Sequence, residues 1–346
     1  MYIVELLQRA AAVRASDLHV SSGQPVAFRR TNGDLVFDEG YARPADEHLA
    51  DLFSTVLSAH AKARFERAGR LDAAIELAAG PRVRLRLFKH AGGWAAACRL
   101  LPTKIRSLGS IQAPAVIENS LADQSGLIIV SGPTGSGKSS TLAGAIDYIN
   151  RTFRRRIVTV EDPIEYLHKS MLSLVTQKEV PRDVLTFEDA LMDSLREDAN
   201  VLMIGELRDA RSLRAAMTAA DTGLLVLATL HARNTPSAVG RLIDAFPSGE
   251  KDLARSMLAD SLRLFIAQAL VKTADGSERV AAFETLASTP AVRNLIRTGD
   301  LAQLPSAIQT GGSAGMMTLQ QSIEDLLRGG TVDPQDAERI LRGRHG

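Results

Sequence analysis

The spacing of apolar positions divides the chain into two regions with different predicted structures. In the first region, helical spacing runs over residues 3–13 and a second helix is predicted over 44–68. The same pattern predicts strands over 25–30, 35–37, 83–88 and 94–101. Asn32-Gly33 separates the first two strands, and this dipeptide is a strong hairpin signal because both residues tolerate positive φ. Residues 1–101 are therefore predicted to form a small α+β domain.

The second region begins after a predicted linker and lead-in over residues 102–125, which carries two prolines and a glycine. From Gly126, short apolar strands alternate with helical stretches, at 127–130, 157–160, 201–204 and 224–230. Continuously apolar strands are typical of a parallel sheet buried on both faces, so residues 126–346 are predicted to form an α/β domain. After about residue 235 the pattern predicts helices, with starts at Thr235-Pro236 and Thr289-Pro290.

Composition narrows the class of protein. The 346 residues include 41 Lys+Arg and 40 Asp+Glu, a net charge of +1 that argues against a strongly basic nucleic-acid binder. Cys98 is the single cysteine, so an internal disulfide and a four-cysteine zinc site are excluded. No apolar run approaches the roughly 18 residues of a membrane span, and the first residues lack a basic signal-peptide region. The sequence predicts a cytoplasmic protein whose membrane contact, if any, is peripheral.

A phosphate-binding loop is predicted between the first α/β strand and the helical stretch that follows it. Residues 132–139 fit the pattern G-x-x-x-x-G-K-[ST], whose glycines let backbone N–H groups cradle phosphates. Lys138 would reach the β and γ phosphates, and the Ser139 hydroxyl would be a ligand for Mg²⁺. The predicted cofactors are ATP and Mg²⁺. The predicted binding residues are Gly132, Pro133, Thr134, Gly135, Ser136, Gly137, Lys138, Ser139 and Ser140.

Three further polar residues follow buried strands. Glu161 follows the strand over 157–160, Glu206 follows the strand over 201–204, and His231 follows the strand over 224–230. Ligands of open α/β sheets bind at the carboxyl ends of the strands, so these side chains are predicted to face the phosphate loop. An NTPase needs one carboxylate to organise Mg²⁺ and another to orient the attacking water, and the two strand ends with glutamates offer them. The alternative for each is a solvated turn or an ordinary hydrogen-bonded side chain.

Taken together, the motifs resemble the secretion ATPase superfamily of type II secretion and type IV pili, and within it the PilT family of pilus retraction ATPases. Almost the whole chain takes part in the match. Its matching segments are residues 15–19, the Walker A loop at 132–139, an Asp box at 161–165, a Walker B region at 195–198 and 204–209, the end of a His box at 229–231, and C-terminal motifs at 291–297 and 306–312.

The resemblance implies a RecA-like P-loop NTPase domain preceded by a small PAS-like α+β domain, assembled as a hexameric ring. It implies that Glu161 is the general base and that Glu206 belongs to the shell of Mg²⁺ and water. His231 would couple the γ phosphate to movement. Arg84 and Arg99 align with arginines of the N-terminal domain that complete the family's site.

The resemblance also implies a cytoplasmic motor, peripheral at the inner-membrane base of the pilus machine, that drives retraction and twitching motility. Its partners would be identical subunits, an inner-membrane platform protein and a paralogous pilus ATPase, with no specific nucleic acid. The sequence departs from the family at Leu224, where a histidine is usual, and near Gly92-Gly93, where an arginine is usual. An accessory PilU-like or regulatory paralogue, an extension or secretion ATPase, and a RecA-like nucleic-acid motor remain the alternatives.

Overall fold

The structure is a computed structural model, and it describes residues 2–56, 59–76, 82–101, 104–207, 209–232 and 234–343. The chain divides into two compact units, Met1–Lys104 and Ile105–Gly346. Three parts of the sequence predictions lie outside the described residues: positions 57 and 58 of the helix predicted over 44–68, Pro102 of the linker, and Arg208 of the Walker B region.

The first unit is built on a six-stranded antiparallel sheet in the order β3-β2-β1-β6-β5-β4. Its strands are β1 (Ala15–Ser21), β2 (Val26–Arg30), β3 (Leu35–Asp38), β4 (Arg70–Glu76), β5 (Arg82–His90) and β6 (Gly93–Leu100), and its helices are α1 (Tyr2–Ala12), α2 (Asp46–Val56) and α3 (Ala59–Ala68). Leu6 and Leu7 of α1 lie fully buried with Leu18 of β1 and Leu85 of β5. One apolar face of the sheet is therefore covered by helix.

The predicted hairpin is present in this unit. Its turn is closed by bonds from Arg30 N to Asp34 O and from Gly33 N to Arg30 O, and Gly33 has a φ of 99°. The strands β1 and β4 were not predicted. β1 carries the polar residues Ser16, Asp17 and His19, which obscured its apolar alternation.

The second unit is built on a seven-stranded sheet in the order β13-β12-β7-β11-β10-β8-β9. Its strands are β7 (Gly126–Ser131), β8 (Arg156–Glu161), β9 (Leu174–Glu179), β10 (Val201–Ile204), β11 (Leu225–Leu230), β12 (Leu262–Lys272) and β13 (Arg279–Ala287). All neighbours pair in parallel except β12 and β13. Every residue of β7, β10 and β11 is buried, as expected of a parallel sheet covered on both faces.

Helices cover both faces of this sheet. They are α4 (Ala115–Leu121), α5 (Lys138–Thr152), α6 (Phe187–Ser194), α7 (Ala210–Asp221), α8 (Thr235–Asp244), α9 (Lys251–Ser261), α10 (Pro290–Thr298), α11 (Leu304–Thr310), α12 (Leu319–Arg328) and α13 (Pro334–Arg342). The α/β class with a smaller α+β unit before it is confirmed. None of the helices in the described ranges combines the length and the apolar character needed to cross a bilayer.

Several sequence predictions for the second unit were wrong in detail. The region after residue 235 is not purely helical, since β12 and β13 form a long antiparallel pair within it. The region predicted as a linker contains α4, whose Ile117 and Leu121 are buried in the core. The cap of α8 is Asn234, whose side chain accepts from Ser237 N, whereas Thr289 caps α10 as predicted.

Candidate active site

The phosphate loop joins the end of β7 to the start of α5. Gly132 has a φ of 153°, and a Cβ there would lie 2.4 Å from Ser136 Oγ and 2.5 Å from the Gln268 carbonyl oxygen. Gly137 has a φ of 89°, and a Cβ would lie 2.8 Å from Gln268 Nε2. Two glycines of the motif are therefore required because the loop lies tightly against β12.

Lys138 folds back over the loop. Its Nζ donates to the carbonyl oxygens of Gly132 at 2.8 Å and Pro133 at 3.0 Å. The side chain is buried, and burial lowers the pKa of this ammonium, while the charges of Glu206 and Glu165 act in the opposite direction. The cation is thus held at the centre of the loop, where a phosphate would compensate its desolvation.

The loop also holds a polar atom that needs a partner. Ser136 Oγ is buried and has no hydrogen-bond partner among the described residues. A buried hydroxyl without a partner is costly, and a phosphate oxygen in the loop would supply one. The exposed tip at Pro133, Thr134 and Gly135 leaves the loop open to solvent. These residues fit a nucleotide phosphate group.

The first turn of α5 carries the two remaining serines of the motif. Ser139 is exposed, so its hydroxyl is available to a cation. Ser140 Oγ lies 2.7 Å from the hydroxyl of Tyr166, a buried residue of the β8–β9 connection. Next to it, Thr141 Oγ1 donates to Gln268 Oε1 at 2.7 Å. This turn is therefore anchored at two consecutive residues, and the exposed Ser139 directly precedes them.

Glu161 is the last residue of β8, and its side chain is only 8% exposed. Thr159 Oγ1 donates to Glu161 Oε1 at 2.8 Å, and Gln177 Nε2 donates to the same oxygen at 3.1 Å. Burial raises the pKa of the Glu161 carboxyl to about 7, although these two hydrogen bonds oppose the shift. A carboxylate with this pKa is suited to take a proton at neutral pH.

Glu206 and His231 are brought together with Lys138. Glu206 follows β10 and His231 follows β11, which are neighbouring parallel strands. His231 Nε2 lies 3.0 Å from Glu206 Oε1, and His231 Nδ1 lies 3.5 Å from Lys138 Nζ. Glu206 and His231 also line a cavity of about 250 Å³, together with Asp209 and Arg241. Three residues predicted from separate motifs therefore form one hydrogen-bonded chain.

Arg84 and Arg99 belong to the first unit, where they are direct register partners on β5 and β6. Arg99 Nε is ion-paired with Asp17 Oδ1 of β1 at 2.8 Å, and the Asp17 side chain is only 11% exposed. Across β1, Asp17 is in turn the register partner of Arg29. Arg99 is therefore tied to the sheet, whereas Arg84 carries no ion pair among the described residues.

Sequence reasoning missed four residues that support this site: Thr159, Tyr166, Gln177 and Gln268. A signal was present for two of them. Thr159 precedes Glu161 by two residues on one strand, which places both on the same face. Gln268 is a lone polar residue within a continuous apolar run. Gln177 lies on β9, which alternates too weakly to be recognised as a strand.

Comparisons with known proteins agree with this geometry. The family model described as "Type II/IV secretion system protein" matches residues 1–316. A twitching motility protein of Neisseria gonorrhoeae is 42% identical over 332 residues, which cover 94% of this chain and 88% of the relative. The type IV pilus retraction ATPase PilT of Pseudomonas aeruginosa is 41% identical over 339 residues, which cover 97% of each chain.

A solved structure resembles the fold over its full length. The crystal structure of a pilus retraction motor PilT with bound ADP superposes with a TM-score of 0.86 at 36% identity, and the match covers 98% of this chain and 96% of that chain. The family model and the two relatives each cover most of the sequence. The chain therefore belongs to the type II/IV secretion system protein family, within its PilT group of ATPases.

Proposed function

We propose that this chain is the subunit of a hexameric motor that hydrolyses ATP to retract a type IV pilus. The observation that carries the proposal is the hydrogen-bonded chain from Lys138 through His231 to Glu206, which joins the phosphate loop to two strand ends. The P. aeruginosa relative is a pilus retraction ATPase, and the N. gonorrhoeae relative is a twitching motility protein. These names support retraction over pilus extension or secretion.

In this proposal the loop binds the phosphates of ATP before any chemistry occurs. Backbone N–H groups of residues 134–139 and the start of α5 stabilise the negative charge. Lys138 exchanges its carbonyl partners in the loop for phosphate oxygens, and Ser136 gains the acceptor that it lacks. The residues that would hold Mg²⁺ are Ser139 and Glu206, and the ion would neutralise phosphate charge.

Hydrolysis requires a base for the attacking water, and Glu161 supplies it. Its carboxylate lies at the carboxyl end of β8, on the edge of the sheet where the phosphate loop also lies. A base whose pKa is about 7 is ionised in about half of the molecules at neutral pH. It then holds the proton of water until the product leaves. His231 and Glu206, which lie beside Lys138, would help to order the γ phosphate.

The negative charge of the transition state is stabilised by a further cation, and in ring ATPases this cation is commonly an arginine from another part of the ring. Arg84 and Arg99 are the proposed arginines. Movement of the subunits during turnover would act on an inner-membrane platform protein, from the cytoplasmic side, to depolymerise the pilus. A paralogous pilus ATPase would be a second partner of the ring.

The proposal is tested on purified protein and in cells together. We expect Mg²⁺-dependent ATP hydrolysis, a solution mass of six subunits, and twitching motility in a strain that carries this chain as its retraction ATPase. Lys138→Ala should abolish hydrolysis and motility while the far-UV circular dichroism spectrum is unchanged. Hydrolysis by Lys138→Ala at the wild-type rate would overturn the site, and normal motility without this chain would overturn retraction.

One observation favours an accessory role as a second candidate. Leu224, which stands where the family usually has a histidine, is a buried member of the apolar core and cannot exchange protons. An accessory subunit would hydrolyse ATP slowly alone and support motility only beside another motor. Measuring kcat for this chain alone and for a mixture with a paralogous ATPase separates the two roles.

A further inference from the structure

The two carboxylate oxygens of Glu161 have unequal surroundings. Oε1 accepts hydrogen bonds from Thr159 Oγ1 at 2.8 Å and from Gln177 Nε2 at 3.1 Å. Among the described residues, Oε2 receives only a long contact of 3.4 Å from the Glu165 backbone N–H. Hydrogen-bond donors stabilise the charged form of a carboxylate and fix its orientation. In the described part of the chain, side-chain donors therefore bind Oε1 and leave Oε2 to the long backbone contact.

Both the nitrogen and the oxygen of the Gln177 side-chain amide form hydrogen bonds. Its Nε2 donates to Glu161 Oε1 and also to the carbonyl oxygen of Tyr166 at 2.8 Å. Its Oε1 accepts from the backbone N–H of His168 at 2.8 Å. Since the amide oxygen faces a donor and the amide nitrogen faces two acceptors, only one orientation of the side chain satisfies all three partners.

We propose that Gln177 is a positioning residue for Glu161, and that Gln177 with Thr159 reserves Oε1 so that Oε2 takes the proton of the attacking water. The inference rests on the proposed role of Glu161 as general base. Gln177 and Thr159 are register partners on β9 and β8, so the two donors come from adjacent strands. Two rigid elements thus fix the carboxylate plane, which a loop residue could not do as well.

The same amide connects the base to the phosphate loop. Gln177 holds the Tyr166 backbone, and the Tyr166 hydroxyl lies 2.7 Å from Ser140 Oγ in the first turn of α5. Ser140 follows the proposed Mg²⁺ ligand Ser139. Tyr166 therefore joins the first turn of α5 to the side chain that orients Glu161.

The charged residues around Glu161 do not stabilise its carboxylate in place of the Thr159 and Gln177 donors. Glu165 on the same connection raises the pKa of Glu161 by repulsion. Glu179, its register partner on β9, is engaged through Oε2 with the Ile164 backbone N–H at 3.1 Å. On the other side, β10 is followed by Gly205, which packs against the Glu161 backbone and has no side chain. Loss of either neutral donor should therefore disfavour the carboxylate.

The experiment measures kcat as a function of pH, together with the affinity for a non-hydrolysable ATP analogue. Gln177→Leu and Thr159→Val each remove one donor to Oε1. Both should move the acid limb of the kcat profile upward by about one pH unit and lower kcat at pH 7 about fivefold, with recovery above about pH 9. Analogue affinity should stay within about twofold of wild type.

Two further variants keep the result interpretable. Thr159→Ser retains the hydroxyl and should restore the wild-type limb, and Thr176→Val changes the neighbouring position of β9 and should have no effect. Thr159→Val leaves the backbone partners of Gln177 intact, so it remains decisive if Gln177→Leu does not fold. An unshifted limb in folded Thr159→Val and Gln177→Leu would overturn the positioning role, as would an equal loss of kcat at every pH.

Glu161→Gln separates this inference from the proposed function. If Glu161→Gln hydrolyses ATP normally, Glu161 is not the base and both proposals about it are wrong. If Glu161→Gln is inactive while the donor variants behave as wild type, the base assignment stands and only the positioning role is overturned.

Discussion

His231 Nε2 lies 3.0 Å from Glu206 Oε1, and the distance makes this contact a hydrogen bond that the ring donates. The other ring nitrogen, Nδ1, lies 3.5 Å from Lys138 Nζ and is placed to accept from the ammonium. A ring that carries a proton on Nε2 and a lone pair on Nδ1 satisfies both neighbours. The ring therefore joins the phosphate loop to the end of β10.

This arrangement predicts how Glu206 contributes to turnover. Glu206→Gln keeps an oxygen that can accept from His231 but removes the negative charge beside Lys138. We expect binding of an ATP analogue to remain within about threefold of wild type, while kcat falls by at least roughly tenfold, because the lost interaction acts mainly in the transition state. Titration calorimetry and steady-state kinetics measure the two quantities separately.

The matched control is Glu118→Gln on α4, which changes one glutamate of the same unit away from the phosphate loop. It should leave both analogue binding and kcat unchanged. A normal kcat for Glu206→Gln would show that the contact with His231 is structural only. Loss of analogue binding in the same variant would place Glu206 in ground-state binding instead of catalysis.

Burial of Glu161 should lower the stability of the nucleotide-free protein at neutral pH. Its pKa rises from an ordinary 4.5 to about 7 on folding, so between these values the folded state binds more protons than the unfolded state. The stability from this group is complete below about pH 4.5 and is lost as the pH rises through 7. Glu161→Gln should therefore be more stable than wild type by on the order of 2 kcal/mol at pH 8.

Thermal unfolding at two pH values tests this. At pH 8 the Tm of Glu161→Gln should exceed that of wild type by several degrees, and at pH 5 the difference should shrink, because the wild-type carboxyl is then protonated in the folded state. Glu118→Gln should show neither effect. An equal Tm difference at both pH values would mean that packing, and not the charge of Glu161, determines the result.

The elements with a strong side-chain pattern could be predicted from the sequence. The fully buried strands β7, β10 and β11 are apolar throughout, and the loop after β7 has a fixed spacing of glycines, so both were predictable. β12 was missed because an apolar run with alanines fits a buried helix as well as a strand. β9 was missed because it is an edge strand with mixed polar residues.

These misses explain what could not be predicted about the site. Gln177 and Gln268 lie on β9 and β12, and their partners Glu161 and Thr141 are far away in the sequence. A contact between residues on two different elements depends on how the strands are ordered and where the helices pack, which the chain's local pattern does not encode. By contrast, Glu161 ends a strongly apolar strand, and Glu206 and His231 follow two others, so their positions marked them as candidates whose roles stay predictions.

Replacing Arg84 and replacing Arg99 should have different effects on the stability of the protein. Arg84 forms no ion pair with the described residues. Arg84→Ala should therefore leave Tm unchanged and lower kcat at protein concentrations at which the subunits assemble. Arg99→Ala leaves the poorly exposed Asp17 without its partner and should also cost about 1 kcal/mol of stability. Equal effects of the two variants on Tm would contradict this distinction.

The control for the arginine prediction is Asp17→Asn, which breaks the same ion pair and keeps Arg99. If Arg99 acts in catalysis, Asp17→Asn should lose stability while kcat stays much closer to wild type than in Arg99→Ala. Assembly is monitored by mass in solution, because a variant that does not assemble would lose activity for a different reason.

The helix α10 presents one buried and one exposed face. Val292 and Ile296 are fully buried, and Thr289 caps the helix through Val292 N. On the exposed face, Arg297 Nη2 is ion-paired with Asp260 Oδ1 of α9 at 2.6 Å, and both side chains are about half exposed. An exposed pair of this kind contributes at most about 1 kcal/mol, so Arg297 is not needed for the fold.

We therefore expect the double variant Arg293→Ala with Arg297→Ala to hydrolyse ATP at a near-normal rate and to impair twitching motility. Removing these two charges leaves the buried Val292 and Ile296 in place, so the loss falls on the ion pair with Asp260 or on an action on another component. Val292→Ala is the packing control: it should cost about 2 kcal/mol of stability and lower Tm and hydrolysis together.

Asp260→Asn separates the remaining explanations, because it breaks the ion pair and keeps both arginines. If Asp260→Asn impairs motility as strongly as the double variant, the α9–α10 pair is the coupling element; if it does not, the arginines act on a partner directly. Normal motility in the double variant would restrict α10 to a structural role.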